Sequence, residues 1–322
     1  MKVLITGITG FAGSHLAEFV LSQKGTQVFG LCRDSSRLDN LAKIKDRLQL
    51  VRCDLFDPSG TAECFKKIKP DRIFHLAGQS NAAGSWESAA PTLKSNILGG
   101  LHVLEAVRRA SPKAGLLIAG SAEEYGACSS DRTPVSEKAP TQPLSPYGVS
   151  KAALSFLAYE YFRNYKIHAV RARSFNHTGP RQKDAFAAGS FAKQIAQIEA
   201  GLKPPILDVG NLEAERDFTD VRDVVRAYWL LLQAGTPGEV YNVCSGRGVK
   251  IQRLLDIYFE KSKVKVRIQK DPGRLRPDEV SRRVGDPSKL KKTTGWQPSI
   301  PLETTLEDLL GTWRERIGPC RT

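Results

Sequence analysis

Short apolar runs and longer amphipathic stretches alternate through the first half of the chain. The short runs are rich in β-branched and aliphatic residues, which predicts strands at residues 2–6, 27–32, 48–51, 72–76, 115–120 and 168–171. Apolar positions at helical spacing predict helices at residues 11–21, 92–109 and 145–164. This alternation predicts an α/β fold with a doubly wound parallel sheet of the Rossmann type, covered by helices on both faces.

The regular pattern ends near residue 176. Beyond it, short elements alternate with loops rich in glycine and proline, such as residues 179–180, 203–205 and 271–273. We therefore expect one large domain over residues 1–175 and a smaller C-terminal lobe over residues 176–322. No clean linker separates the two, so some later segments are expected to return to the large domain.

Composition is that of a globular protein, with 41% hydrophobic and 25% charged residues in a chain of 322. A net charge of +14 is the unusual bulk property. The Lys and Arg residues are spread along the chain without long basic runs, so we do not expect a nucleic acid as partner. Two explanations stay open: a generally basic surface, or attraction of small anionic ligands.

The sequence gives no indication of a membrane span, a metal site or disulfide bonds. No apolar stretch approaches the ~18 residues of a membrane span, and the first strand leaves no room for a signal peptide. The six cysteines form no C-x-x-C pair and show no His/Cys spacing typical of metal sites. We expect reduced thiols in a cytoplasmic protein that holds no metal and binds no membrane.

A glycine-rich turn lies between the first strand and the first helix. Such a turn directs backbone N–H groups and a helix N-terminus at an anion, which suits the pyrophosphate of a dinucleotide. Its spacing is Gly-x-x-Gly-x-x-Gly. The residues predicted to hold the cofactor here are Gly7, Thr9, Gly10, Phe11, Ala12 and Gly13.

The ends of the next strands complete a candidate dinucleotide site. Arg33 follows the second strand, where a basic residue accommodates the 2′-phosphate of NADP and an acidic one binds the 2′-hydroxyl of NAD. Its neighbour Asp34 weakens this distinction, so we expect NADP (as NADPH), with NAD as the alternative. Further cofactor contacts are predicted at the ends of the third and fourth strands, at Asp54, Leu55, Leu76, Ala77, Gly78 and Gln79.

Tyr147 and Lys151 are four residues apart and therefore share one face of a helix. A nearby ammonium favours the phenolate, so Lys151 is expected to lower the pKa of Tyr147 and to contact the nicotinamide ribose. Ser121 ends the fifth strand and can hydrogen-bond the reacting oxygen. Together these residues can surround a carbonyl or carbinol carbon with a hydroxyl, a phenol and an ammonium.

The order of these motifs resembles the extended branch of the short-chain dehydrogenase/reductase superfamily. Segments 75–80, 174–180, 209–220 and 276–280 are similar to nucleotide-sugar enzymes that act on GDP-mannose derivatives. The resemblance implies a C-terminal substrate lobe, a homodimer and a GDP-linked deoxyhexose as substrate. It implies a cofactor contact at His177 and substrate contacts at Ser80, Ser121, Ala122, Asn176, Lys193, Arg216, Arg276 and Glu279.

Two activities are compatible with this resemblance. A reductase transfers hydride to the C4 ketone of GDP-4-keto-6-deoxy-D-mannose and gives GDP-D-rhamnose. A GDP-mannose 4,6-dehydratase needs an additional acid and base, and such enzymes carry Thr, a small polar or acidic residue and Glu at the end of the fifth strand. The sequence here is Ser121-Ala122-Glu123, which favours the reductase but retains Glu123 as a candidate catalytic residue. A related epimerase or dehydratase remains the alternative.

Overall fold

The computed structural model describes residues 1–127, 134–262, 264–274 and 280–318. The strands, numbered β1 to β13 in chain order, are Lys2–Thr6, Gln27–Cys32, Gln49–Arg52, Arg72–His75, Gly115–Ser121, Ala169–Ser174, Asn176–Thr178, Ile206–Val209, Glu215–Asp220, Val240–Val243, Gly248–Lys250, Arg267–Lys270 and Arg282–Arg283. The α-helices, numbered α1 to α10, are Phe11–Leu21, Pro58–Ile68, Ala89–Leu93, Gly99–Ala110, Pro146–Tyr165, Ala187–Glu199, Val221–Ala234, Ile251–Lys261, Ser288–Thr294 and Leu302–Ile317.

Seven parallel strands form the large sheet in the order β10-β6-β5-β4-β1-β2-β3. One face is covered by α1, α7 and α9, and the other by α2, α4 and α5, each through buried aliphatic side chains. The strand order reverses at β1, and in such sheets ligands bind beyond the carboxyl ends of the strands at this point. The predicted doubly wound parallel sheet is confirmed.

The stretch predicted as one helix at residues 92–109 is built from three pieces. Helix α3 passes into a single π turn at Lys94–Leu98, and α4 follows without a break. A π turn adds one residue to the helical repeat and rotates the side chains that follow it. This turn places Asn96 in the interior, where it is 1% exposed.

Segments beyond residue 176 contribute to both parts of the fold. Strand β10 extends the large sheet beside β6, and α7 packs on its face. A small sheet is centred on β9, which pairs with β7, β11 and β13, and β8 pairs with β12. Helices α6, α8 and α10 enclose a separate apolar core. Segments thus return to the large sheet as expected, while the division at residue 175 stays a prediction.

Two further sequence expectations concern cysteines and membranes. Of the six cysteines, Cys32, Cys53, Cys64 and Cys244 are free thiols. Cys128 and Cys320 lie outside the described residues. Within the described ranges, no helix combines the length and apolar character needed to cross a bilayer.

Candidate active site

The glycine turn fits the pyrophosphate of a dinucleotide. Gly7 has a φ of +71°, and a Cβ at this position would lie 2.7 Å from the backbone nitrogen of Ala77. A Cβ at Gly13 would lie 2.2 Å from the carbonyl oxygen of Gly7. In the first turn of α1, no acidic residue is present and no side chain caps the N-terminal N–H groups. These groups and the helix dipole are therefore available to an anion.

Hydrogen bonds join the end of β1 to the end of β4. The Thr6 hydroxyl lies 2.8 Å from His75 Nδ1 and accepts a 3.2 Å bond from the backbone N–H of Ala77. Burial and, to a smaller extent, the Lys151 ammonium lower the pKa of His75 to about 3, so this imidazole is neutral. Leu76, Ala77 and Gly78 thus follow a rigid strand end beside the glycine turn.

Arg33 and Asp34 lie exposed at the end of β2. The guanidinium of Arg52, at the end of β3, donates a 2.8 Å hydrogen bond to the carbonyl oxygen of Arg33. The same guanidinium lies 3.6 Å from the carboxylate of Asp34. Arg52 therefore offsets the negative charge of Asp34, the residue that weakened the distinction between NADP and NAD in the sequence. Sequence reasoning missed Arg52 because its proximity to Arg33 depends on the pairing of two strands.

Two further residues predicted to contact the cofactor, Asp54 and Leu55, follow the end of β3. The Asp54 carboxylate accepts a 3.0 Å bond from the backbone N–H of Phe56, which fixes the turn. The carbonyl oxygen of Leu55 lies 2.6 Å from Nδ1 of His102.

Ser121, Tyr147 and Lys151 converge at the carboxyl end of β5. Ser145 caps α5 by accepting a 3.1 Å bond from the N–H of Gly148, and a proline follows at the first helical position. This start places Tyr147 in the first turn and Lys151 one turn later. The Lys151 ammonium donates a 2.8 Å bond to the carbonyl oxygen of Ala119 and lies 5.9 Å from the centre of the Tyr147 ring.

Burial controls the ionisation of both groups. It raises the pKa of Tyr147, and a hydrogen bond with Ser121 opposes that shift. It lowers the pKa of Lys151 to about 8, with the Glu124 carboxylate acting in the opposite direction. The expected lowering of the phenol pKa by Lys151 is therefore not seen, because desolvation of the phenol is the larger effect. A protonated phenol can act as an acid.

Asn96 supports this group and was missed by sequence reasoning. Its side-chain oxygen accepts a 2.8 Å bond from the backbone N–H of Gln79. Its Nδ2 donates to the hydroxyl of Ser150 at 2.8 Å, and Ser150 in turn donates to the carbonyl oxygen of Tyr147 at 2.7 Å. Asn96 thus connects the loop after β4 to the first turn of α5. No sequence pattern indicated the π turn that directs it inward.

A short 3-10 turn, Ala122–Tyr125, follows Ser121 and carries Glu123 and Glu124. The Ser121 hydroxyl accepts a 3.2 Å bond from the N–H of Glu123, and the Glu124 carboxylate accepts a 2.8 Å bond from the N–H of Ser121. Glu124 is fully buried and forms a 2.6 Å ion pair with Arg173 on β6. Glu123 pairs instead with Arg283 on β13 at 2.5 Å. Neither arginine was singled out from the sequence.

The residues predicted to contact the substrate, and the predicted cofactor contact His177, lie in different parts of the structure. Ser80 is exposed in the loop after β4, Ala122 is buried in the 3-10 turn, and Asn176 is exposed at the start of β7. The His177 ring stacks on Phe11 with centres 5.9 Å apart, and this brings β7 to the glycine turn. Arg216 is buried on β9. Arg276 and Glu279 lie outside the described residues.

Lys193 on α6 lies in a small cavity of the C-terminal part. Its ammonium donates a 2.6 Å bond to the carboxylate of Asp184. The cavity has a volume of about 220 Å³ and is lined by Asp184, Ser190, Lys193, Gln194, Gln197, Lys203 and Arg274. Among the described residues, no three His, Cys, Asp or Glu side chains are grouped so that they could hold a metal ion.

Comparisons with known proteins match nearly the whole chain. A family model described as GDP-mannose 4,6 dehydratase matches residues 4–309. The chain is 34% identical to GDP-6-deoxy-D-mannose reductase of Pseudomonas aeruginosa over 98% of both chains. It is 35% identical to GDP-mannose 4,6 dehydratase 2 of Arabidopsis thaliana, over 98% of this chain and 88% of that protein. The solved structure of RMD from Pseudomonas aeruginosa complexed with NADPH matches with a TM-score of 0.86 and 33% identity, over 98% of this chain and 99% of that one.

Proposed function

This chain belongs to the GDP-mannose 4,6-dehydratase family, and within that family we propose that it reduces the C4 ketone of GDP-4-keto-6-deoxy-D-mannose to give GDP-D-rhamnose. The membership confirms the resemblance to extended short-chain dehydrogenases/reductases and the class of NAD(P)-dependent enzyme. The observation that carries the proposal is the buried phenol of Tyr147, which hydrogen-bonds Ser121 beside the Lys151 ammonium.

The proposed roles follow from the chemistry of each side chain. NADPH, when bound at the glycine turn, supplies the hydride. Tyr147 donates its proton to the C4 oxygen as that oxygen gains negative charge, and the hydroxyl of Ser121 hydrogen-bonds the same oxygen. The ammonium of Lys151 stabilises the phenolate left after proton transfer and donates to the ribose of the cofactor. Asn96 holds the first turn of α5 in place through Ser150.

The nucleotide part of the substrate is assigned to the C-terminal lobe. Guanidinium groups bind phosphate oxygens bidentately, so Arg216 and Arg276 are proposed to hold the diphosphate together with Asn176, and Glu279 the ribose. At the cavity beside α6, the carboxylate of Asp184 is a hydrogen-bond acceptor and the adjacent ammonium of Lys193 is a hydrogen-bond donor. Guanine presents adjacent N–H donors and a carbonyl acceptor, so this pair complements its edge.

A dehydratase is the second candidate, because Glu123 lies at the position where such enzymes carry a glutamate. The two activities are separated by GDP-mannose, which has no ketone. We expect the protein to bind GDP-mannose and leave it unchanged, since Ala122 replaces the polar residue that dehydratases use. Incubation with catalytic NADP⁺, followed by mass spectrometry, tests this. Rapid loss of one water would refute the reductase and support the dehydratase, whereas NADPH oxidation by the 4-keto sugar supports the reductase.

NADPH is the proposed cofactor, with NADH as the alternative, and Arg33 is proposed to contact the 2′-phosphate. Replacing Arg33 by alanine is expected to weaken NADPH binding by about 1–3 kcal/mol, the range of a charge-assisted hydrogen bond, and to leave NADH binding nearly unchanged. Titration calorimetry measures both constants. The matched control is Arg37→Ala, which removes an exposed arginine paired with Asp39. Equal weakening of both cofactors would show that Arg33 does not discriminate between them.

We propose a homodimer formed through α4 and α5. Apolar side chains are exposed on this face. Leu98 lies in the π turn, Val149 and Phe156 lie on α5, and the side chain of Phe156 is 54% exposed. Two such helices from each protomer would bury these side chains in a four-helix contact.

A cytoplasmic location is also proposed. The free thiols of Cys32, Cys53, Cys64 and Cys244 are those expected in a reducing compartment.

A further inference from the structure

Glu123 lies beside the reacting groups but is held by an arginine from the other part of the chain. Its carboxylate contributes to the raised pKa of Tyr147, so it lies within electrostatic range of the phenol. Nη1 of Arg283 donates to this carboxylate at 2.5 Å, and Nη2 lies 3.4 Å from the carbonyl oxygen of Gly126. The side chain of Arg283 is 6% exposed and that of Glu123 is 22% exposed.

Both partners of this ion pair are fixed in position. The 3-10 turn that carries Glu123 is held by Ser121 and by the buried pair of Glu124 with Arg173. Arg283 belongs to β13, where it lies opposite Arg216 of β9 in the strand register. The pair therefore joins the end of β5 to the small sheet that carries the proposed diphosphate ligand.

A free carboxylate at this place would have chemical consequences. The C4 ketone of the proposed substrate acidifies the C–H bonds at C3 and C5, and a carboxylate can remove such a proton to form an enolate. Elimination by a dehydratase uses a base of this kind. Protonation of Glu123 would leave the buried guanidinium of Arg283 without its counter-charge, which is strongly unfavourable.

We propose that Arg283 is a specificity-determining positioning residue: it holds Glu123 as a paired carboxylate and so prevents removal of a proton next to the C4 ketone. This inference rests on the proposed function. The site then adds hydride to the ketone without catalysing enolisation or elimination.

The test follows exchange of substrate C–H for C–D in D₂O. The protein is incubated with GDP-4-keto-6-deoxy-D-mannose and NADP⁺, which fills the cofactor site but holds no hydride for the ketone. In the exchange step, a freed Glu123 takes the C3 or C5 proton, and the C–H electron pair becomes the double bond of an enolate. The carboxylic acid exchanges its proton with D₂O and returns a deuteron to carbon. NMR follows both positions, and an enzyme-free sample gives the background.

We expect wild-type protein to exchange at the background rate. Arg283→Met and Arg283→Gln, which both remove the charge, should raise the rate at C3 or C5 by about 10²-fold, in the range of general base catalysis. Arg283→Lys keeps a cation and should stay near background. Adding Glu123→Gln to Arg283→Met should abolish the gain, because amides do not act as bases here.

Several results would overturn the proposal. These are fast exchange by the wild type, no gain in a folded Arg283→Met or Arg283→Gln protein, or a gain that persists with Glu123→Gln. Thermal unfolding and NADPH binding report whether each variant is folded. If neither neutral variant folds, exchange by the wild type above background still refutes the proposal, and its absence supports it. NADPH oxidation by the ketone tests the proposed function separately, since exchange needs no hydride transfer.

Discussion

Replacing Tyr147 by phenylalanine is expected to lower the turnover of the 4-keto sugar by roughly 10²–10⁴-fold, the usual contribution of general acid catalysis. The phenol is buried and held protonated, so it can donate a proton to the C4 oxygen of the proposed substrate. Phenylalanine keeps the ring and its packing. NADPH affinity should therefore change little, as fluorescence titration would show.

Tyr165→Phe is the matched control for this variant. It removes a phenol from the last turn of the same helix, where the side chain is 49% exposed. We expect its turnover to equal that of the wild type. Near-normal turnover of Tyr147→Phe would refute the role of Tyr147 as proton donor, and a parallel loss of NADPH affinity would indicate a structural role instead.

Replacing Arg173 by methionine is expected to reduce the free energy of unfolding by about 3–5 kcal/mol, the range for removing one partner of a buried ion pair. Glu124 is fully buried, and its other oxygen accepts from the N–H of Ser121. Its charge would lose the guanidinium 2.6 Å away. The guanidinium also packs on Tyr125, 4.6 Å from the ring centre. Urea unfolding at neutral pH measures the difference.

The matched control is Lys250→Met, which breaks the pair with Glu213 on the surface. Those side chains are 60% and 75% exposed, so solvent screens the pair and the expected loss is far smaller than that of Arg173→Met. A loss for Arg173→Met no larger than that of the control would show that the buried pair does not stabilise the turn after β5.

The large sheet could be predicted because its strands are short apolar runs and its helices are long and periodic. Residues 72–76 and 115–120 differ from the observed strands by one residue each. The π turn at Lys94–Leu98 was not predictable, because its helical periodicity continues into α4 and one inserted residue leaves no signal in composition. The pairing of β10 with β6 joins residues far apart in sequence, and strand partners of that kind are set by tertiary packing.

The candidate site also contains residues that could be predicted from the sequence and residues that could not. Ser121, Tyr147 and Lys151 could be predicted because each occurs in a short motif at a strand end or on one helix face. Asn96, Arg173 and Arg283 could not, because their partners lie in distant segments and each residue resembles an ordinary polar or charged position. The expectation that Lys151 lowers the pKa of Tyr147 was based only on the charge of the neighbouring ammonium. Burial of the phenol, which depends on the folded structure, has the larger effect.

The position of β10 at the margin of the large sheet has a consequence for synthesis of the protein. Until residue 243 has left the ribosome, β6 presents an unpaired edge, and apolar side chains normally covered by α7 face water. Exposed edges of this kind associate with other strands. The nascent nucleotide-binding half therefore passes through an aggregation-prone stage, and a fragment that ends at residue 175 keeps that edge permanently.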